Sequence, residues 1–220
     1  MTGMLLRHQT LGYGAEPVLT GVSFALAPGE RVALMGRSGA GKTTLLGALH
    51  AALLAEGARV ALVPQEHGLV PQLCVTRNAL MGRLDDHGAF YNLTNLVRPR
   101  AADRAGVGEI LEVLGLAGLA HRTVEGLSGG QKQRVALARA FWRGGDVLLG
   151  DEPVSALDER QGAEILGQIA ARFDRAVLAL HDVEQALGFA TRIVGLKGGR
   201  VVIDAAPAAV ERARIEALYA

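Results

Sequence analysis

The pattern of hydrophobic and polar positions along the chain predicts short strands that alternate with helices. Apolar runs too short for a helix predict strands at Met4–His8, Val22–Leu26, Arg31–Met35, Arg59–Val63, Val147–Gly150, Arg175–Leu180, Arg192–Leu196 and Arg200–Asp204. Helices are predicted at Gly41–Ala55 and Glu159–Arg172, and a short helix is predicted at Val183–Phe189. Strands that alternate with helices favour a mostly parallel sheet covered on both faces, so the expected fold class is α/β.

The middle of the chain has a different pattern. Strand-like runs are missing after about residue 65, and the predicted elements are the helices Thr76–Met81, Asp103–Leu114 and Gly129–Trp142. A polar segment at His87–Pro99 is predicted to be a loop between the first two helices. We interpret residues 65–142 as an α-helical subdomain, inserted into a core formed by residues 1–64 and 143–220 of one domain.

A glycine-rich segment between a strand and a helix matches the phosphate-loop pattern G-x-x-x-x-G-K-[ST]. Its glycines let backbone N–H groups turn towards an anion, and the helix that follows points its positive end at the same place. Lys42 supplies a charge for the β- and γ-phosphates of ATP, and the Thr43 hydroxyl is a ligand for Mg²⁺. The predicted ATP-binding residues are Gly36, Arg37, Ser38, Gly39, Ala40, Gly41, Lys42, Thr43 and Thr44.

Two adjacent acids follow the apolar strand Val147–Gly150. Ligands of open α/β sheets collect at the carboxyl ends of the strands, which is where Asp151 and Glu152 stand. Beside a phosphate loop, this pattern predicts that Asp151 holds the Mg²⁺ and its water shell. Glu152 is then predicted to be the general base that polarises the attacking water.

A second predicted anion site occurs where the helix Gly129–Trp142 begins. The residues Leu127-Ser-Gly-Gly-Gln131 place a serine hydroxyl and glycine N–H groups at a helix N-terminus, and Ser128 also fits a simple N-cap. This segment is the signature of ATP-binding cassette (ABC) proteins, and the chain resembles that family from about Met4 to Asp204. The resemblance implies a P-loop NTPase (RecA-like) core with a mostly parallel sheet, a small antiparallel β part and the inserted α-helical subdomain.

The resemblance also implies that the ATP site is shared between two chains. In the family the signature of one subunit caps the γ-phosphate held by the phosphate loop of the other. Two ATP molecules would therefore lie in a head-to-tail interface, in a homodimer or with a paired ATPase subunit. The residues implied to act in trans are Ser128, Gly129, Gly130 and Gln131.

Further residues match family motifs in the expected order. Tyr13 occupies the position of an aromatic residue that stacks on adenine, and Gln65 that of the glutamine that senses Mg²⁺ and the attacking water. Asp158 closes a loop implied to cross the dimer interface, and His181 matches the histidine that contacts the γ-phosphate. Together with Lys42 and Glu152, Gln65 and His181 form the predicted catalytic set.

One departure from the family pattern concerns the length of the segment between Lys42 and Gln65. In most members this segment is longer by a small β-hairpin region, so its shortness is expected to trim the antiparallel side of the core. No catalytic position falls in the shortened part.

Composition narrows the classes of partner. The formal net charge is +1, from 23 basic and 22 acidic residues, which argues against a general nucleic-acid binder. The sequence lacks an apolar run of about 18 residues and a signal-peptide pattern at its start, and it holds a single cysteine. We therefore expect a soluble, cytoplasmic chain. The resemblance to ABC ATPases implies that it is attached peripherally to the cytoplasmic face of the inner membrane through a permease.

The helical insert indicates which transporter class the chain serves. The segment from Val63 to Leu84 and the tail from Arg192 to Asp204 resemble the importer ATPases of the phosphonate type. This implies uptake of a small solute, a phosphonate or related phosphorus oxyanion, with permease subunits and an extracytoplasmic solute-binding protein. Two alternatives stay open: an ATPase of an export, lipoprotein-release or cell-division complex, and a soluble ABC ATPase acting on nucleic acid or ribosomes.

Overall fold

The computed structural model describes residues 4–14 and 16–220, apart from the side chains of Tyr13 and Leu96. Its strands are β1 (Met4–Tyr13), β2 (Glu16–Ala25), β3 (Arg31–Met35), β4 (Val60–Val63), β5 (Val147–Asp151), β6 (Arg175–Ala179), β7 (Arg192–Lys197) and β8 (Arg200–Ala205). Its helices are α1 (Lys42–Ala55), α2 (Val75–Leu80), α3 (Ala89–Val97), α4 (Ala101–Val113), α5 (Gly129–Arg143), α6 (Glu159–Arg172), α7 (Val183–Phe189) and α8 (Arg212–Glu216). The described chain divides into two compact units. The first, which we call the core unit, runs to Gln65 and resumes at Gly145–Ala220, and the helical unit is Glu66–Gly144.

The core unit is built on a six-stranded sheet in the order β4-β5-β6-β3-β7-β8. The first five strands are parallel, and β8 runs antiparallel to β7. Strands β3, β5 and β6 are almost entirely buried, which is why they consist of continuous apolar runs rather than alternating residues. Because β3, β4, β5 and β6 are parallel, the residues that follow them meet at one edge of the sheet.

Helix α1 packs its leucines into the same hydrophobic core as the sheet. Leu45, Leu49 and Leu53 are spaced four residues apart on one face of α1, and all three are fully buried. Burying each such side chain stabilises the fold by roughly 1.5–3 kcal/mol. This packing fixes the start of α1 relative to the end of β3.

The two N-terminal strands are longer than the sequence pattern predicts. Strands β1 and β2 pair antiparallel as a separate two-stranded sheet, and they extend beyond the predicted Met4–His8 and Val22–Leu26. Several irregularities shift the register between Met4 and Gly12, so the alternation of apolar and polar residues that identifies a strand is broken there. The predicted strand bounds were therefore wrong at the turn between β1 and β2.

The helical unit packs α2, α4 and α5 around one apolar centre. Val75, Val107, Leu111 and Leu137 are buried there. The polar segment His87–Pro99, predicted to be a loop, contains the helix α3 instead. The reason is that α3 is held by its polar residues. The Asn92 side chain donates to the carbonyls of Leu84 and His87 at 2.7 and 2.9 Å.

Among the residues that the structure describes, we find no helix with the length and apolarity needed to cross a membrane.

Candidate functional site

The phosphate loop joins the end of β3 to the start of α1, and its glycines have backbone angles that other residues rarely adopt. Gly36, Gly39 and Gly41 have φ values of 146°, 80° and 99°. A Cβ atom at Gly36 would lie 2.5 Å from the carbonyl oxygen of Leu196, so a side chain would collide with the β7 backbone. Gly41 is the N-cap of α1 and has no side chain to cap it, which leaves the first N–H groups of the helix for an anion.

Lys42 is the first residue of α1, and its ammonium group is held inside the loop. Its Nζ donates to the carbonyl oxygens of Gly36 at 2.7 Å and Arg37 at 3.1 Å, and the residue is only 6% exposed. Burial lowers the pKa of Lys42, while the nearby carboxylates of Glu152 and Asp151 act in the opposite direction. The loop therefore holds the Lys42 amino group close to two acids.

The other residues of the loop lie either in a tight turn or along the cleft. The Ala40 N–H donates to the Arg37 carbonyl at 3.1 Å and closes a tight turn. The Ala40 side chain packs against the hydrophobic core. Ser38 and Thr44 line the cleft beside the loop.

This cleft has a volume of about 310 Å³, and most of the predicted ATP-binding residues line it. Its walls are formed by Val18, Ser38, Gly39, Gly41, Lys42, Thr43, Thr44, Gln65, Asp151 and Glu152. Val18 supplies an apolar wall from β2. The sequence pattern missed it because β2 was predicted to begin at Val22.

Thr43 and Asp151 face each other across the floor of the cleft. The Thr43 hydroxyl donates to Asp151 Oδ2 at 2.6 Å, and this joins the first turn of α1 to the last residue of β5. Gln65 follows β4, the neighbour of β5, and reaches the same cleft. The sheet order thus brings two oxygen-bearing side chains and one amide to the same edge.

Glu152 is held in a strained backbone conformation directly after β5. Its φ is 54°, in the left-handed region that a glutamate rarely adopts. Its N–H donates to the Ala179 carbonyl of β6 at 3.2 Å. This bond ties the strained residue to the neighbouring strand and directs the chain towards His181.

His181 stands opposite Glu152 because β5 and β6 are adjacent and parallel. His181 Nε2 and Glu152 Oε1 are 2.5 Å apart. The Leu180 N–H is fixed to the Leu34 carbonyl at 3.1 Å on one side of the histidine. On the other side, the Asp182 carboxylate caps α7 by accepting from the Gln185 N–H at 2.8 Å. The structure therefore pairs a carboxylate and an imidazole beside the phosphate loop.

Asp158 caps the next helix in the same way. Its carboxylate accepts a hydrogen bond from the Gln161 N–H at 2.8 Å and is the N-cap of α6. The segment from Ser155 to Asp158 remains the predicted interface loop.

The signature residues form a reciprocal cap at the start of α5 in the helical unit. Ser128 Oγ accepts from the Gln131 N–H at 3.3 Å, and Gln131 Oε1 accepts from the Ser128 N–H at 2.9 Å. Gly129 and Gly130 form the first turn between them. The cap holds the serine hydroxyl and the two glycines at a helix N-terminus whose dipole favours an anion.

Arg139, on α5, fixes the loop that follows Gln65, and the sequence motifs did not single it out. Its guanidinium donates to the carbonyl oxygens of Gly68 at 2.7 Å and His67 at 2.5 Å. Burial lowers the pKa of His67, and the charges of Arg139 and Lys132 lower it further. The planar guanidinium reaches both carbonyls at once, a geometry that a lysine ammonium does not offer.

One predicted site residue lies outside the described atoms. The backbone of Tyr13 ends β1, and its side chain, expected to stack on adenine, is not among those described.

Comparison with known protein families matches residues 19–155 to the ABC transporter family. The chain is 40% identical to the phosphonates import ATP-binding protein of Frankia casuarinae, over 94% of this chain and 91% of that protein. It is also 40% identical to a phosphonates import ATP-binding protein of Natronomonas pharaonis, over 96% of each chain.

Two solved structures of ABC proteins have a fold similar to that of this chain. The fold is similar to the dimeric ATP-binding cassette MJ0796, described in a post-hydrolysis state bound to ADP and Pi. The TM-score is 0.77 at 25% sequence identity, and the match covers 94% of this chain and 99% of the other. A metal-chelate type ABC transporter in an inward-facing conformation matches with a TM-score of 0.73 at 26% identity, over 91% of this chain and 81% of the other.

Proposed function

The chain belongs to the ABC transporter family, and from this premise we propose that it is the ATP-hydrolysing subunit of an importer for phosphonates or related phosphorus oxyanions. One observation carries the hydrolytic part of the proposal. The phosphate loop, the Thr43–Asp151 pair and the Glu152–His181 pair all lie at one edge of the parallel sheet. The substrate class follows from the similarity to phosphonate import proteins over nearly the whole chain.

In this proposal the phosphate loop binds the triphosphate of ATP. Backbone N–H groups of the loop and the start of α1 surround the phosphate oxygens, and the Lys42 ammonium neutralises part of their charge. Tyr13 is proposed to stack on adenine, next to the apolar wall that Val18 gives to the cleft. Binding energy at the phosphates then places the γ-phosphoryl group next to Glu152.

Glu152 is the proposed general base. It accepts a proton from the water that attacks the γ-phosphorus atom, while the bond to the leaving ADP oxygen breaks and inorganic phosphate forms. His181 is proposed to contact the γ-phosphate and to orient the Glu152 carboxylate, and its position 2.5 Å from Oε1 supports this role. Gln65 is proposed to position the attacking water from the end of β4.

The donors around Thr43 fit a magnesium ion. Mg²⁺ prefers oxygen ligands and is usually held by one or two protein groups together with substrate phosphates. The Thr43 hydroxyl and the Asp151 carboxylate are oxygen donors 2.6 Å apart, and the Gln65 amide lines the same cleft. When bound there, the ion would neutralise charge on the β- and γ-phosphates.

The complete ATP site is proposed to need a second subunit. The signature residues Ser128–Gln131 would contact the γ-phosphate bound to the partner's phosphate loop, and Asp158 would lie at the interface. The similar cassette MJ0796 is a dimer in its solved structures, which supports this arrangement. Two permease subunits would hold the ATPase pair peripherally at the cytoplasmic face of the inner membrane, and an extracytoplasmic binding protein would deliver the solute.

A growth experiment tests the transport function. Deleting the gene in its host should abolish growth on methylphosphonate as the sole phosphorus source and leave growth on orthophosphate unchanged. The wild-type gene should restore growth, and the Glu152→Gln variant should not. Normal growth of the deletion strain on several phosphonates would rule out the proposed substrate, whereas absence of ATP hydrolysis by the purified protein would rule out the ATPase role itself.

A further inference from the structure

The loop formed by residues 66–73, which we call the post-Gln65 loop, begins directly after Gln65. Strand β4 ends at Val63, and its pairing with Gly150 of β5 fixes the chain just before Gln65. On the other side of Gln65, the next helix is α2, which begins at Val75. The position of Gln65 in the cleft therefore depends on what holds the start of this loop.

Arg139, on α5, holds the start of the post-Gln65 loop through two short hydrogen bonds. Its Nη2 donates to the His67 carbonyl at 2.5 Å, and its Nη1 donates to the Gly68 carbonyl at 2.7 Å. Gly68 has a φ of 56°, so the loop turns there through a conformation that glycine adopts without strain. Because the guanidinium is charged, these bonds belong to the stronger class of hydrogen bond.

A different side chain holds the far end of the same loop. The Asn78 side chain, on α2, accepts from the Val70 N–H at 2.8 Å and donates to the Val70 carbonyl at 3.0 Å. Asn78 is fully buried, and it also donates to the Leu73 carbonyl at 3.2 Å. Removing the Arg139 contacts should therefore free the backbone next to Gln65, while the rest of the loop stays attached to α2.

We propose that Arg139 is a positioning residue for Gln65, because its two hydrogen bonds fix the backbone that directly follows this glutamine. The inference rests on the proposed function, in which Gln65 positions the attacking water. The sheet fixes the chain before Gln65 at Val63, and the guanidinium fixes it afterwards at His67. The Gln65 amide is thereby kept in the cleft that the phosphate loop also lines. Since small errors in the placement of a reacting group cost much of the rate, this restraint acts on the chemical step.

The alternative is that Arg139 only stabilises the helical unit. Arg83 is the matched comparison, because it is an arginine of the same unit that also donates to a backbone carbonyl. Its Nε bonds the Trp142 carbonyl at 2.6 Å, and its guanidinium lies 4.0 Å from the centre of the Trp142 ring. Both contacts are made to Trp142 rather than to the post-Gln65 loop, so Arg83 should contribute to stability and not to the position of Gln65.

The variant Arg139→Met removes both hydrogen bonds and keeps a long side chain. We expect kcat for ATP hydrolysis to fall about ten- to a hundredfold, because Gln65 is no longer held in place. The KM for ATP should stay at the wild-type value, since the phosphate loop is untouched. Arg83→Met should lower the midpoint of thermal unfolding and leave kcat unchanged. Kinetics are measured well below the unfolding midpoint of each variant.

The variant Arg139→Lys retains the positive charge but reaches only one of the two carbonyls. It should restore part of the rate, with kcat about three- to tenfold below wild type, because one hydrogen bond is lost instead of two. This variant also takes the place of Arg139→Met in every comparison if the methionine protein does not fold. A role in stability alone predicts no such order of kcat values among wild type, lysine and methionine.

A second comparison shows whether Arg139 acts through Gln65. In single-turnover experiments with excess enzyme, Arg139→Met should not slow a Gln65→Ala variant any further, because the amide to be positioned is gone. An equal fractional loss in both backgrounds, or a wild-type kcat in Arg139→Met, would overturn the inference. So would a raised KM with normal kcat. A wild-type protein without ATP hydrolysis would overturn the proposed function instead, so the two failures are distinguishable.

Discussion

At the scale of single residues, the proposed chemistry depends on a glutamate that the fold holds in an unfavourable conformation. Glu152 has a φ of 54°, which costs of order 1–3 kcal/mol for a residue with a side chain. Its N–H is bonded to Ala179, and its carboxylate faces His181 at 2.5 Å. Such strain persists where the surrounding structure fixes the residue, and here it directs the carboxylate towards the phosphate cleft.

Replacing this carboxylate with an amide should stop hydrolysis and leave nucleotide binding. Glu152→Gln keeps the size and the backbone conformation but cannot accept the proton of the attacking water, so we expect kcat to fall by about 10²- to 10⁴-fold. Because ATP is then bound without being consumed, the variant should also accumulate as a dimer in size-exclusion chromatography with ATP. Glu164→Gln, at an exposed position of α6, is the control and should behave as wild type. A Glu152→Gln protein that turns over ATP at the wild-type rate would disprove the assigned role.

Removing the positive charge of the phosphate loop should weaken nucleotide binding, which Glu152→Gln leaves intact. Lys42→Ala keeps the backbone cradle but loses the ammonium that Gly36 and Arg37 hold in place. Charged hydrogen bonds to phosphate contribute about 1.5–3 kcal/mol each, so we expect the Kd for ATP to rise by roughly 10- to 100-fold. Titration calorimetry measures this directly, with Lys197→Ala as a control for losing a lysine elsewhere in the core unit. Equal affinities of wild type and Lys42→Ala would contradict the role of Lys42.

At the scale of elements, α3 differs from an ordinary surface helix because its apolar side chains are exposed and its asparagines face the helical unit. Phe90, Leu93 and Val97 are 82%, 64% and 67% exposed. Asn92 and Asn95 face the unit instead, and the Asn95 side chain donates to Asp103 at 2.8 Å. The polar face therefore holds α3 in place, while the apolar face lies at the surface.

This reversal predicts an unusual response to substitution. Asn92→Leu should destabilise the protein by about 1–3 kcal/mol, because the carbonyls of Leu84 and His87 lose their donor. Leu93→Asn, on the next residue, should change the free energy of unfolding by less than about 0.5 kcal/mol, because Leu93 is exposed. Urea denaturation of the two variants measures both values. If Leu93→Asn destabilised the protein more than Asn92→Leu does, α3 would pack by its apolar face.

The same helix shows which elements could be predicted from the sequence. The buried strands of the parallel sheet were found because each is a continuous apolar run, and the phosphate loop was found because its glycines and lysine have a fixed spacing. Helix α3 could not be found in that way, since the contacts of Asn92 and Asn95 decide its conformation and the periodicity does not reveal them. Val18 was missed for a related reason. It reaches the site through tertiary packing rather than through a motif.

At the scale of the whole molecule, an ATP site that two chains share, as proposed, determines which combinations of subunits can hydrolyse ATP. The phosphate loop, Asp151 and Glu152 belong to one sheet edge, whereas the signature residues Ser128–Gln131 start a helix of the other compact unit. If each ATP is held by the phosphate loop of one chain and the signature of the other, a symmetric dimer contains two identical sites. Each site then draws its residues from both chains.

Such a dimer predicts that two inactive variants can complement each other. Lys42→Ala weakens ATP binding by the phosphate loop, and Ser128→Arg blocks the signature, so at an ATP concentration near the wild-type Kd each pure variant should show almost no hydrolysis. In a mixed dimer, one site combines the intact phosphate loop of the Ser128→Arg chain with the intact signature of the Lys42→Ala chain. An equimolar mixture should therefore recover up to about a quarter of wild-type activity, since about half of the dimers are mixed and each has one intact site.

The matched control is a mixture of Lys42→Ala with Glu152→Gln. Both substitutions affect the same half of the site, so neither site of a mixed dimer is complete and the mixture should stay inactive. Activity that depends only on the amount of each variant, with no gain on mixing, would mean that each chain hydrolyses ATP alone.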